Sequence, residues 1–129
     1  MTYPLSRILS TATAAYGAYA LLRPDHLGSA LEAPAEQMAA FDLMAYTYAV
    51  RDIPVSAVAM FASSDQLVVG SMLMRIASDL GDATILGLGV TDEQGRATAL
   101  KATLGWAALN LVGLLLDRRH ERRRIRRIV

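Results

Sequence analysis

The chain has 129 residues and a mass of 13.9 kDa, which is enough for one domain. Apolar residues make up 53% and charged residues 19%, and the lack of cysteine excludes disulfides, cysteine metal sites and a thiol nucleophile. The net charge of +1 conceals an uneven distribution, because residues 117–129 carry +5 and residues 1–116 carry −4. The longer segment has 16 charged residues in 116, well below the roughly 25% of soluble domains, and therefore too few for helices that face water.

Four apolar stretches predict four helices, at residues 5–22, 39–62, 66–90 and 98–116. They lack the alternation of a strand and are rich in alanine and leucine. At 1.5 Å per residue, each is long enough to cross a hydrocarbon core of about 30 Å. We therefore predict an all-α fold, a four-helix transmembrane bundle over residues 1–116, followed by an arginine-rich cytoplasmic tail at residues 117–129.

A soluble four-helix bundle is the alternative, because the longest runs without charge have 15 residues, short of the roughly 18 that indicate a span. Two features favour the membrane. The run from 102 to 116 has only Thr103 and Asn110 as polar side chains, so it lacks the polar face of a soluble helix. Small residues also suit close helix contacts in lipid, and these are Ser6, Ser10, Thr13, Gly17, Gly105 and Gly113. We expect an integral, multi-pass membrane protein, in the cytoplasmic membrane if the source is a bacterium.

The charge distribution predicts the topology. The tail holds seven arginines and should stay cytoplasmic by the positive-inside rule. Four spans then place the N-terminus, with Arg7, on the cytoplasmic side as well. The net acidic loops at residues 23–38 and 91–97 fall outside. The tail has no interleaved aromatic residue, so we expect it to contact membrane lipid and not nucleic acid.

Ionisable residues within the predicted spans mark a candidate site, because such residues are costly in lipid and usually face a bundle interior. Arg75, Asp79 and Asp82 follow each other at i, i+4 and i+7 and share one stripe. The pair Arg51-Asp52 precedes Pro54, which should bend the helix. Two arginines face three carboxyl groups, so one carboxyl group lacks a cationic partner and should be partly protonated.

These residues predict acid–base chemistry. The predicted catalytic residues are Asp52, Asp79, Asp82, Arg51 and Arg75. The predicted substrate-binding residues are Tyr16, Tyr19, Tyr46, Tyr48, Asn110 and Trp106. His26 and His120 have no helical partner at metal spacing, so no metal is expected. No cofactor is expected either, because Gly87-Leu88-Gly89 lacks the strand–turn–helix context of a nucleotide-binding loop.

The body carries a set of short motifs, namely Tyr16-Gly17, Arg23-Pro24, Val50-Arg51-Asp52-Ile53 and Asp79 to Asp82. On these motifs, residues 5–116 resemble the small four-helix integral membrane proteins of domain-of-unknown-function family 4267, found in bacteria and fungi. The chain departs from that family at Pro54 and at Ser56, where a glycine is common.

The resemblance implies a chemistry, because some fungal pathway proteins of similar size and topology are membrane epoxide hydrolases or cyclases. The Asp–Arg–Asp arrangement is also similar, by analogy alone, to the soluble limonene-type epoxide hydrolases. In those enzymes one aspartic acid protonates the epoxide oxygen while an aspartate activates water.

We therefore expect a membrane enzyme that opens an epoxide, by hydrolysis or cyclisation, or isomerises a lipophilic small molecule. Asp79 and Asp52 would form the acid–base pair, with Asp82 as the alternative member. A second hypothesis is a non-enzymatic membrane subunit or small carrier whose ion pairs are structural. A third is a proton-coupled transporter. It would need a homodimer, because four helices alone form only a small transport pathway.

Overall fold

The computed structural model describes residues 2–126, and within this range the chain is helical and has no strand. The elements are α1 (Pro4–Leu22), α2 (Asp25–Ala30), a 3-10 turn (Ala35–Gln37), α3 (Met38–Phe61), α4 (Asp65–Gly89) and α5 (Glu93–Arg126). The predicted all-α class is confirmed. The positions of α1, α3 and α4 agree closely with the apolar stretches at residues 5–22, 39–62 and 66–90.

Two elements differ from the prediction. The short helix α2 lies in the predicted loop at residues 23–38, where Pro24 and Asp25 favour a helix start. Helix α5 begins five residues earlier than predicted, at Glu93, and continues through the predicted tail to Arg126. It continues because arginine is a good helix former and no glycine or proline follows Gly113. Residues 127–129 of the predicted tail lie outside the described residues.

The four long helices form an antiparallel bundle with the cyclic order α1, α3, α4, α5, and α2 packs on α3. One end of the bundle, called the closed end, holds the start of α1, the end of α3 and Asp117 of α5. The opposite end, called the cavity end, holds α2, the end of α4 and the start of α5. Short connections at residues 62–64 and 90–92 require the antiparallel order.

Apolar side chains fill both ends of the bundle. The cluster at the cavity end consists of Leu27, Leu31, Phe41, Ala45, Leu86, Val90 and Ala99. The cluster at the closed end consists of Tyr3, Val68, Met72 and Leu114. The middle of the bundle, between the two clusters, is where the charged residues of α3 and α4 lie.

Most of the small residues predicted to mediate helix contacts do so. A Cβ atom at Gly17 would lie 2.8 Å from Ile53 Cγ1, and one at Gly113 would lie 2.6 Å from Leu9 Cδ1. Ser6, Ser10 and Thr13 are buried. The exception is Gly105, which has no described neighbour within 4 Å of a Cβ because it lies on the exposed face of α5.

Charged hydrogen bonds fasten the closed end. The carboxylate of Asp117 accepts bonds from the backbone N–H of Leu5 (3.3 Å) and Ser6 (2.7 Å) and from Ser6 Oγ (2.8 Å). The guanidinium of Arg7 donates to the carbonyls of residues 59, 60 and 62, at 3.2, 2.6 and 2.8 Å. These bonds satisfy the free N–H groups that begin α1 and the free carbonyls that end α3.

Among residues 2–126, α5 is the one helix that is both long and apolar enough to cross a membrane, and 28% of its apolar window is buried in the bundle. The charged residues of α3 and α4 reduce the hydropathy of those helices, and hydroxyl groups reduce that of α1. A multi-pass arrangement and cytoplasmic termini therefore stay predictions.

Candidate functional site

Arg51 of α3 binds two carboxylates at once. Its two terminal nitrogens donate to the two oxygens of Asp82 on α4, at 2.9 and 2.7 Å. Its Nε donates to Asp52 Oδ1 at 2.8 Å. The ring of Tyr48 lies one turn away, with the guanidinium carbon 5.1 Å from its centroid, a cation–π distance. Arg51 thus links α3 to α4 with the planar, two-bond geometry that suits a carboxylate.

Arg75 of α4 lies between Asp52, which it shares with Arg51, and Asp79. Its Nη2 donates to Asp52 Oδ2 at 3.1 Å. Its Nε is 3.7 Å from Asp79 Oδ2, which is too long for a hydrogen bond. Asp52 and Asp82 therefore have both oxygens bonded to guanidinium groups, whereas Asp79 accepts no hydrogen bond from the described residues.

This network forms one wall of a cavity of about 420 Å³, a size typical of small-molecule sites. Four of the five predicted catalytic residues line it, and Arg51 lies behind them, bonded to Asp52 and Asp82. The other walls are largely apolar. They are formed by Ala12, Leu27, Ala30, Leu31, Leu86, Ala99 and Ala102, together with the threonines at 13, 98 and 103.

Unbonded polar atoms converge on this wall. Tyr48 Oη, two nitrogens of Arg75 (Nε and Nη1) and Asp79 Oδ2 are buried and have no hydrogen-bond partner among the described residues. Arg75 and Asp79 are each only 6% exposed. Buried polar groups normally have partners, so Tyr48, Arg75 and Asp79 keep unused hydrogen-bonding capacity, and all three residues line the cavity.

The predicted substrate-binding residues divide into two groups. Tyr16, Tyr48 and Trp106 line the cavity, and Trp106 Nε1 donates to Thr13 Oγ1 at 3.1 Å. The structure places Tyr19, Tyr46 and Asn110 outside it.

Helix geometry explains these three exceptions. Tyr46 is two residues from Tyr48, so it points to the opposite side of α3 and is 43% exposed. Tyr19 is 47% exposed and packs against the ring of His26. Asn110 lies one turn closer to the closed end than Trp106, to whose carbonyl its amide donates.

The sequence did not indicate His26, which lines the cavity from α2. Its Nδ1 faces the carbonyl of Arg23, and its Nε2 is 2.7 Å from Tyr16 Oη. A carbonyl only accepts, so Nδ1 donates to it, and Nε2 forms the hydrogen bond with the Tyr16 hydroxyl. The sequence feature that could have indicated His26 is the Arg23-Pro24 pair. It ends α1 and reverses the chain direction, so that residue 26 lies against α1.

The arrangement combines an unbonded carboxyl group, two bonded carboxylates and free N–H and O–H donors around an apolar space. Within residues 2–126, no group of three or more histidine, aspartate and glutamate side chains is placed to hold a metal ion. Comparisons of the chain with protein-family models, with curated proteins and with solved structures give no match.

Proposed function

We propose that α1, α3, α4 and α5 all cross a membrane. Large apolar side chains are exposed on the outer faces of all four helices, for example Ile8, Val50, Leu88 and Leu109. The charged residues in the middle of α4, Arg75, Asp79 and Asp82, point the other way and are buried. A soluble bundle has the reverse distribution, with apolar side chains inside and charged side chains outside.

We propose further that the cavity binds a lipophilic epoxide and opens it by general acid–base catalysis. One observation carries this proposal: Arg75 lies between Asp52, to which it donates a hydrogen bond, and Asp79, which accepts none. The two carboxyl groups can then differ in protonation state, because Asp52 accepts hydrogen bonds from two guanidinium groups and Asp79 accepts none within residues 2–126, its contact with Arg75 being 3.7 Å long.

In the proposed step, Asp79 donates its proton to the epoxide oxygen as a ring C–O bond breaks. Asp52 takes a proton from a water molecule, or from a hydroxyl group of the substrate, whose oxygen forms the new C–O bond. The products are a diol or a cyclic ether with a free hydroxyl group, and proton transfer from Asp52 to Asp79 restores the starting state. Tyr48 donates a second hydrogen bond to the epoxide oxygen, and the same pair could isomerise a lipophilic substrate.

The second candidate is a non-enzymatic membrane subunit or small carrier, alone or as a homodimer. The complete pairing of Asp82 with Arg51 favours it, because that contact links α3 to α4 and uses every oxygen of the carboxylate. In this case the cavity holds a lipophilic molecule without changing it. Membership of the domain-of-unknown-function 4267 family stays a prediction under either candidate.

Turnover of lipophilic epoxides by the protein in phosphatidylcholine vesicles tests the proposal. Asp79→Asn and Asp52→Asn should each lower kcat by about 10²-fold or more, the usual contribution of a positioned acid or base. The matched control is Asp65→Asn, because Asp65 begins α4 at the closed end and does not line the cavity. Reaction in H₂¹⁸O separates hydrolysis, which labels the diol, from cyclisation, which leaves the product unlabelled.

Wild-type turnover in both variants would overturn the acid–base assignment. Saturable binding of lipophilic epoxides with no conversion of any of them would favour the carrier.

A further inference from the structure

The walls of the cavity differ in exposure. On the α3 and α4 side, the lining residues Asp52, Asp79 and Leu86 are buried. On the α1 and α5 side, the lining residues Thr13 and Ala99 are also buried, but Ala12, Tyr16, Thr98 and Ala102 are exposed. The cavity is therefore closed towards α3 and α4 and opens between α1 and α5.

Contacts limit this opening on both sides, towards the closed end and towards the cavity end. Towards the closed end, α1 and α5 are joined by the Trp106–Thr13 hydrogen bond and by the close approach of Leu9 to Gly113. Towards the cavity end, the backbone of Leu31 packs against Gly95, where a Cβ atom would overlap the Leu31 carbonyl. We call this gap the lateral opening. Its exposed rim residues are Ala12, Tyr16, Ala30, Thr98 and Ala102.

The axial route from the cavity end is blocked. Leu27 and Leu31 of the α2 segment are buried in the apolar cluster at that end. Gly28 is pressed against Met38, whose sulfur would lie 2.6 Å from a Cβ at that position. A ligand therefore reaches the charged wall sideways, past Ala12 and Ala102.

We infer that the cavity is filled through the lateral opening from the hydrocarbon core of the membrane, by a lipid-like molecule with one oxygen function. This inference rests on the proposed membrane location and names the substrate class of the proposed site. The oxygen binds at Tyr48 and Asp79, two lining residues that each carry a buried oxygen, Tyr48 Oη and Asp79 Oδ2, without a hydrogen-bond partner among the described residues. The apolar remainder lies along alanine and leucine side chains and continues into the lipid.

The chain carries its own probe for this route, because Trp106 is its single tryptophan and lines the cavity. The protein in phosphatidylcholine vesicles is titrated with 11-bromoundecan-1-ol, whose bromine quenches tryptophan fluorescence on contact. We expect saturable quenching that undecan-1-ol competes away. Ala12→Phe and Ala102→Phe should each raise the half-saturating concentration about tenfold, equivalent to about 1.4 kcal/mol of binding free energy.

The matched control is Ala108→Phe, at an exposed position of α5 that does not line the cavity, and it should bind as the wild type does. Circular dichroism checks that each variant is folded, and Thr98→Phe serves as a third rim variant. Wild-type affinity in the folded rim variants would overturn lateral entry. Quenching of Trp106 by aqueous acrylamide as efficient as in the unfolded chain would also overturn it, since the cavity would then be open to water.

The outcomes separate lateral entry from catalysis. Rim-dependent binding without conversion of any epoxide leaves lateral entry standing and removes the catalytic proposal. Epoxide turnover that the rim variants do not change leaves catalysis standing and removes lateral entry.

Discussion

At the scale of single residues, neighbouring carboxyl groups on one helix have different bonding. Asp82 receives two hydrogen bonds from Arg51, whereas Asp79, one turn earlier on α4, receives none from the described residues. Removal of a buried carboxylate that pairs with a guanidinium is costly, because the arginine loses its partner, whereas removal of an unbonded one breaks no hydrogen bond. Asp79 is thus the more important residue for the proposed chemistry, whereas Asp82 is the one that holds α3 against α4.

Asp82→Asn should therefore lower the free energy of unfolding by about 2 kcal/mol or more, since a charged hydrogen bond is lost and Arg51 keeps only Asp52. Asp79→Asn removes no hydrogen bond and should change it by less than about 1 kcal/mol. Reversible unfolding in detergent, followed by circular dichroism, measures both. A larger loss for Asp79→Asn than for Asp82→Asn would contradict this description of the network.

At the scale of elements, α1 depends on α5 for its N-terminal cap. The residue before α1, Tyr3, has φ 56° and forms no side-chain cap. The N–H groups of Leu5 and Ser6 bind Asp117 instead, more than a hundred residues away in sequence. An anionic acceptor at a helix N-terminus is favourable both as a hydrogen-bond partner and against the helix dipole.

Asp117→Ala should lower stability by about 1–2 kcal/mol, and Asp117→Asn by less, because the amide oxygen still accepts one bond. Glu121→Gln is the control, because Glu121 lies one turn further along α5 and its one ion pair within residues 2–126 is with Arg124 at 3.7 Å. Thermal unfolding of the three variants in the same detergent gives the comparison. An Asp117→Ala variant as stable as Glu121→Gln would show that the cap contributes nothing.

The sequence predicts those elements whose signal is local. The helices α1, α3 and α4 follow from long, mainly apolar stretches with stop signals such as Arg23-Pro24. The helix α2 could not be predicted, because its six residues are held by tertiary packing of Leu27 and Leu31. The i, i+4, i+7 spacing indicated one charged stripe. It could not indicate that Asp79 is the unbonded carboxyl group, because that depends on Arg51 reaching across from α3 to Asp82.

At the scale of the whole molecule, charge is separated along the bundle axis. Six arginines of the described chain extend α5 beyond Asp117 at the closed end. Acidic residues lie at the other end, namely Asp25, Glu32, Glu36, Asp92 and Glu93. In the proposed membrane orientation the positive-inside rule places the closed end in the cytoplasm and the cavity end outside.

The cysteine-free chain allows a direct test of this orientation. Single cysteines at exposed Ser29, near the cavity end, and at Ser64 and Arg124, near the closed end, are treated with an impermeant maleimide in intact cells or spheroplasts. Only Ser29→Cys should react before permeabilisation, and all three should react afterwards. Labelling of Ser64→Cys in intact cells would contradict the orientation. Labelling of all three sites there would contradict the separation of the two ends by a membrane.

The two ends of the bundle are held together by different contacts, and this affects which end opens more easily. At the closed end, separating the helices requires breaking the charged hydrogen bonds of Arg7 and Asp117. At the cavity end, the described contacts that oppose separation of α1 from α5 are mainly apolar packing around α2. At that end α1 is held to α2 by the Tyr16–His26 hydrogen bond and apolar packing, so we expect the free energy of local opening to be lower there than at the closed end. Such local opening would let a ligand enter and leave between α1 and α5 without unfolding the bundle.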